Sequence, residues 1–282
     1  MGEALALVSA LCFGLTDVAA GLLSRRAHSI TVACYGQAFG TVLMAAVVPF
    51  AAAPEVHPAD LGWGALSGVG TGLGAAALFH AMSVGRFSTV VPLSVVAGAA
   101  LPVLAGVALL DERPGVAAWA GIAASVPALW LIARSTGGRG GPGDGGAVAG
   151  LLPALLAGAA FALQYTALAQ ADPAAGLWPL LANRAASAVL VFALVLPRPA
   201  RLRVPALIGA GAAGSGALST AAITAFALAG RAQDLSTAAV LTSMYPVVPV
   251  LWGVAALGER LDRHQSFGLV CAAAAIGLIA AG

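Results

Sequence analysis

Lysine is missing from this chain of 282 residues, and charge of any kind is scarce, with charged residues making up 9%. A soluble domain carries about 25% charged residues, so a water-facing shell cannot be assembled from this sequence. The thirteen basic residues are all arginine and leave a formal net charge of +2. No basic patch with interleaved aromatics exists among them, which excludes a nucleic-acid surface. The three cysteines, Cys12, Cys34 and Cys271, lie inside apolar runs without metal-ligand spacing, and read as small packing residues. The chain lacks a Gly-rich phosphate loop, a metal cluster and a nucleophile elbow. Glycine pairs such as Gly68 and Gly70 fall inside an apolar helix rather than after a strand, so a nucleotide reading fails on context. No cofactor, metal or ATP site is expected. The N-terminus, Met-Gly-Glu, has no basic segment before its first apolar run and no Ser or Thr at position six, so neither a cleavable signal nor myristoylation is expected.

What the sequence does hold is apolar. Hydrophobic residues make up 60% and the mean hydropathy is +0.97. A spanning helix needs about 20 mostly apolar residues. Arg, Asp, Pro and Gly punctuate the chain into ten such runs: Glu3 to Leu23, Ile30 to Ala53, Leu61 to Met82, Ser88 to Leu110, Gly115 to Ala133, Ala147 to Gln170, Gly176 to Leu196, Val204 to Leu228, Ser236 to Leu257 and Gln265 to Ala281. Between the fifth and sixth lies STGGRGGPGDGG, residues 135–146, a Gly-rich flexible linker.

The two sets of five are copies. Pro102 to Arg113 reads PVLAGVALLDER and Pro249 to Arg260 reads PVLWGVAALGER, with nine of twelve positions identical. A glycine follows each glutamate nine residues later, Gly121 and Gly268. Helices 3 and 8 each begin with a glycine comb, from Gly62 and from Gly209, and close packing on small residues predicts that these two helices cross near the molecular centre. Helices 4 and 9 both open on Ser-Thr and carry paired prolines, Pro92 with Pro102 and Pro246 with Pro249. Interior prolines free backbone carbonyls and kink a helix, which a membrane tolerates beside protein or a water-filled cavity.

Assigning alternate loops to opposite sides puts ten arginines (25, 26, 86, 134, 139, 198, 201, 203, 260 and 263) on one face and only Arg113 and Arg231 on the other. The positive-inside rule then places both termini on the periplasmic or extracellular side of the cell (inner) membrane. Five crossings per unit is an odd number, so the second unit enters upside down. The expected fold is an all-α membrane protein of ten transmembrane helices in two inverted five-helix repeats, residues 1–134 and 147–282. Inverted repeats of this kind are a signature of secondary transporters, with the substrate site near the midplane. One chain holds both repeats, so a monomer suffices. The expected partners are the lipid bilayer and a small-molecule substrate.

The ten-helix plan, together with SMYP at Ser243 to Pro246, LGER at Leu257 to Arg260, and Gln265 followed by Gly268, resembles the EamA-type members of the drug/metabolite transporter superfamily. The resemblance covers essentially the whole chain. It implies a secondary carrier, often an exporter, for amino acids or other small metabolites, with helices 5 and 10 peripheral to a central cavity. A multidrug exporter is the nearest alternative, and channel-like facilitation shares the same features. An intramembrane enzyme would need clustered acids, histidines or a nucleophile with its base, and the set Asp17, His80 and Arg184 offers no such constellation.

Ionisable groups within spanning helices cost about 2.5 to 3.5 kcal/mol on insertion scales, so each is a functional candidate. Asp17 lies about 6 Å past the middle of helix 1, where small multidrug-resistance relatives of the superfamily also place an acid. It reads either as a carboxylate that binds proton or cation in competition with substrate, or as a local partner of Arg25. Arg184, about 12 Å into helix 7, reads as a bidentate clamp for a substrate carboxylate or as a structural anchor. His80, near the arginine-rich end of helix 3, reads as a titrating or substrate-bonding group or a packing histidine. Gln37, Gln164, Tyr165, Ser243 and Tyr245 are the other polar groups deep enough to line a cavity, unless they bond a neighbouring helix. Glu112 and Glu259 sit at membrane boundaries, where an acid favours a helix N-terminus. They are expected to fix the joints between helices 4 and 5 and between helices 9 and 10.

Overall fold

With no water in a bilayer core, a spanning segment must satisfy every backbone amide and carbonyl internally, and a helix does so. The computed structural model describes residues 2–109, 115–134, 149–232, 241–242 and 244–281. Among these it holds ten α-helices and no strand. They are α1 (Gly2–Ser24), α2 (Ser29–Val47), α3 (Pro58–Val84), α4 (Phe87–Leu109), α5 (Val116–Arg134), α6 (Leu151–Leu168), α7 (Trp178–Val195), α8 (Ala206–Ala232), α9 (Val247–Leu257) and α10 (Arg263–Ala281). Six of them, α1, α2, α3, α6, α7 and α8, are long and apolar enough to cross a membrane, and the apolar stretches of α4, α5, α9 and α10 are shorter. Leu7, Leu11, Val42, Trp63, Trp130, Val189, Val270 and many other large apolar side chains point outward, while Ser9, Thr16, Ser67, Ser187 and Ser215 are buried. This is the reverse of a soluble protein and fits a lipid-facing surface.

The packing pairs exchange between the two halves. α3 packs on α6 and α7, and α8 packs correspondingly on α1 and α2. The α4–α6 contact has its counterpart in α9–α1, while α2–α7 and α5–α10 pair equivalent helices. The glycine combs explain the closeness. A Cβ on Gly68 would run into the backbone of Asn183 on α7 and lie 2.8 Å from the Ala186 Cβ, and one on Gly216 of α8 would meet the backbone of Gly36 on α2. The expected crossing of helices 3 and 8 is therefore corrected: each comb receives the first two helices of the other half, and α3 and α8 are not packed on one another.

Direction is fixed at both ends of α6. Gly150, at its start, packs against Gly85 at the end of α3, and the Asp172 amide beyond its end donates to Asp60 Oδ1 in the first turn of α3 (2.9 Å). Hence α6 runs antiparallel to α3. The Gly85 end gathers positive charge. Arg25 donates to the carbonyls of Met82 and Gly85 and lies 4.6 Å from the centroid of the Phe87 ring, and Arg86 donates to the Arg260 carbonyl. Nearby, partial burial first, and then the charges of Arg201, His80 and Arg198, hold the His28 imidazole below its ordinary pKa.

Helix 9 departs from the expected single run. Leu241–Thr242 is helical, Met244 to Pro246 form a turn, and α9 starts only at Val247. Pro246 is its N-cap and Pro249 lies in its first turn, where a missing amide costs nothing because first-turn amides have no intrahelical partner. These two prolines therefore start a helix rather than kink one. Pro92 does lie inside α4 and leaves the Ser88 carbonyl without its i+4 donor. Gln265 Nε2 of α10 donates to that carbonyl (3.3 Å).

Candidate functional site

A cavity of about 680 Å³ opens between the halves. Its walls come from α1 (Phe13, Thr16, Asp17), α3 (Thr71, Leu78, Phe79), α4 (Ser94, Val95, Gly98), α6 (Phe161, Gln164, Tyr165), α7 (Asn183, Arg184) and α8 (Ser219, Ile223, Phe226), with Gln37 of α2 and Tyr245 of the turn before α9. No residue of α5 lines it among those described, whereas α10 contributes Ile276 and Ile279. So α5 is peripheral as expected, and α10 is not wholly so.

Of the residues singled out in the sequence, Asp17, Gln37, Gln164, Tyr165, Arg184 and Tyr245 are brought together on this cavity. His80 is not. Its side chain is exposed near the arginine-rich end of α3, outside the cavity lining. α3 turns Thr71, Ala75, Leu78 and Phe79 toward the cavity, and His80 falls on the outward side of that helix. Ser243 and Glu112 lie outside the described residues. Pro102 lies within α4, but its side chain is also outside the description. Pro92, Pro246, Pro249 and Glu259 are absent from the cavity wall.

Arg184 is the best-held polar group. It is buried, at 4% exposure, with Nη1 donating to Gln37 Oε1 (3.1 Å) and Nη2 to Ser219 Oγ (2.7 Å). Its Nε has no protein partner. The guanidinium is thus fixed from α2 and α8, with its Nε–H unspent. The neighbouring Asn183 commits both amide hydrogens to α3, one to Ser67 Oγ and one to Thr71 Oγ1, each at 2.8 Å. It ties α7 to α3 and sets the rotation of α7 that points Arg184 at the cavity.

Asp17 is buried at 8% exposure, and its Oδ2 has no hydrogen-bond partner. The local pairing with Arg25 is not formed, since Arg25 is occupied by Met82, Gly85 and Phe87 at the helix end. The tyrosines 165 and 245 stand within electrostatic range of Asp17. Phe13, one turn before Asp17, meets the Tyr245 ring with centroids 5.9 Å apart. One part of the cavity is therefore an aromatic-walled acid and another a fixed cation. Buried polar groups without partners cost free energy, and a polar ligand entering the cavity would supply what both lack.

Sequence reasoning missed Ser219, Thr16 and Thr71. A serine or threonine in an apolar helix commonly bonds back to its own turn, as Thr16 Oγ1 does to the Cys12 carbonyl (2.8 Å) and Thr71 Oγ1 to that of Ser67 (3.2 Å). Only the packing separates those that face the cavity from those that do not.

Glu259 requires a further correction. Its carboxylate accepts the amides of Phe87 (Oε1, 2.9 Å) and Ser88 (Oε2, 2.9 Å), the first residues of α4 in the other half. The acid sits at a helix N-terminus, but the helix is α4 rather than α10. The start of α10 is served locally by Asp262, which accepts the Gln265 amide (2.7 Å).

A comparison with curated proteins returns no match. The sequence profile of the EamA-like transporter family matches residues 1–134 and again residues 144–281. Nearly the whole chain is covered, so this all-helical membrane protein belongs to the EamA-like transporter family.

Proposed function

We propose that the protein is a secondary transporter that moves small metabolites, most readily amino acids and in the direction of export, across the cell membrane by alternating access through the central cavity. One observation carries this reading. Asp17 and Arg184 both line the cavity, and each keeps a buried polar atom, Oδ2 and Nε, without a protein partner. A molecule bearing both an ammonium and a carboxylate carries the partner that each of them lacks. The carboxylate goes to Arg184, whose position Gln37 and Ser219 fix, and the ammonium goes to Asp17 beside the tyrosines. Ten crossings in two inverted repeats, with both termini outward, are part of the proposal. The exchange of packing partners between halves and the antiparallel run of α6 against α3 support it, as does the collection of arginines at one end.

A second reading has its own support. Phe13, Tyr165 and Tyr245 around Asp17 make a surface that also suits an organic cation, as in a multidrug exporter. Uptake into proteoliposomes, using a panel of amino acids and of cationic drugs with and without a pH gradient, separates the two. Amino-acid flux that is abolished in Arg184→Ala supports the first. Flux of cations alone, insensitive to Arg184, supports the second. No flux of either class in folded protein overturns both.

A further inference from the structure

The arginine-rich end carries a set of contacts that the cavity chemistry does not use. Glu259 lies in the short connection between α9 and α10, which follows Gly258 in left-handed conformation (φ +67°). From there its carboxylate caps the first two amides of α4. Gln265, 1% exposed in the first turn of α10, directs Nε2 at the Ser88 carbonyl freed by Pro92, at Ser88 Oγ (3.2 Å) and at Thr89 Oγ1 (3.1 Å). Arg86 completes the set by donating to the Arg260 carbonyl. Gly253 leaves room for the carboxylate, since a Cβ there would lie 2.6 Å from Glu259 Oε2.

We infer that Glu259 and Gln265 form a latch that closes the cavity at its arginine-rich end, and that the latch must open once per transport cycle. The inference rests on the alternating-access reading above. α4 and α10 both furnish cavity wall, through Ser94, Val95, Gly98 and Ala99 on one side and Ile276 and Ile279 on the other. A passage at this end therefore requires the α4 start to part from the α9–α10 joint. Along its length α10 packs chiefly on α5 and meets α4 over a much smaller patch, where Val96 packs on Ala272 and Ile276, and the polar contacts hold the end of that patch at the α4 start. They are also reversible. The carboxylate is only partly buried, and water can replace it on the two amides, whose position at a helix N-terminus keeps them unpaired within α4. Glu259 and Gln265 touch no cavity surface. They act as positioning residues, through α4.

The test places one reporter thiol on the cavity wall, Ala99→Cys, at a half-buried position of α4, in full-length protein whose Cys12, Cys34 and Cys271 are replaced by alanine. A membrane-impermeant maleimide is then added to each face in turn. Glu259→Gln substitutes an N–H₂ for one of the two accepting oxygens, Gln265→Leu removes the donor at similar volume, and Gly253→Ala displaces the carboxylate with its chemistry intact. The expected result is a rise in labelling rate of about tenfold from the arginine-rich face only, in every variant that elutes as folded protein. Unchanged labelling in the folded variants, or an equal rise from both faces, overturns the latch. If all three fail to fold, Arg86→Cys with Arg260→Cys and a short thiol crosslinker decides the matter in otherwise native protein. Transport lost on crosslinking and regained on cleavage of the crosslinker supports the latch, and undiminished transport while crosslinked overturns it. Labelling needs no transported substrate, so a failure of the functional proposal shows as absent flux and leaves the labelling result standing.

Discussion

At the scale of single residues, the cavity separates two roles that one charge each can fill. Arg184 holds its geometry by two side-chain hydrogen bonds from different helices. Lysine in its place keeps the charge but offers its donors from a single nitrogen, without the planar fork that reaches Gln37 and Ser219 from separate nitrogens. Arg184→Lys is expected to raise the KM for a carboxylate-bearing substrate about tenfold to a hundredfold, the worth of a hydrogen bond to a charged group. Flux against concentration in proteoliposomes measures it. Asp17 differs in having no protein partner for Oδ2. Asp17→Asn keeps the size and removes the proton-binding site, so it is expected to abolish the pH dependence of transport without unfolding the protein. A transport rate that still follows pH in Asp17→Asn removes proton coupling through this residue.

At the scale of helices, the small residues decide how closely the halves approach, and the combs are not uniform. Gly68 faces the α7 backbone, where an added methyl has no space. Gly68→Ala is expected to force α3 from α7, break the Asn183 bonds to Ser67 and Thr71, and cost about 1 to 3 kcal/mol. The melting temperature of detergent-solubilised protein should fall accordingly. Gly214 on α8 has nothing within 4 Å of where a Cβ would stand, and Gly214→Ala is expected to leave it unchanged or slightly raised. The prolines divide in the same manner. Pro246 and Pro249 occupy the start of α9, where first-turn amides are free anyway, while Pro92 sits inside α4 and depends on Gln265 for the carbonyl it strands. All of them look alike in sequence, because proline's effect depends on its distance from a helix start that periodicity does not locate.

At the scale of the whole molecule, the proposed inverted arrangement makes a prediction about where the ends lie. With ten crossings and the arginines inward, a phosphatase fused after Gly282 is expected to be active and a green fluorescent protein at the same place dark. The opposite pair of results would reverse the orientation or change the number of crossings. The sequence by itself determined that the chain is helical, membrane-embedded and duplicated. Those properties follow from average composition, run length and self-similarity, which need no knowledge of packing. It also picked out Asp17, Gln37, Gln164, Tyr165, Arg184 and Tyr245, because a polar group in a long apolar run stands out by its cost. The tertiary structure alone decided which helix faces which. Rotation of a helix about its axis is set by side-chain contacts with partners remote in sequence, and the moments of these nearly all-apolar helices hardly constrain it. For that reason His80 turned outward, Ser219 turned inward to Arg184, α3 took α6 and α7 rather than α8, and Glu259 capped a helix more than 170 residues before it.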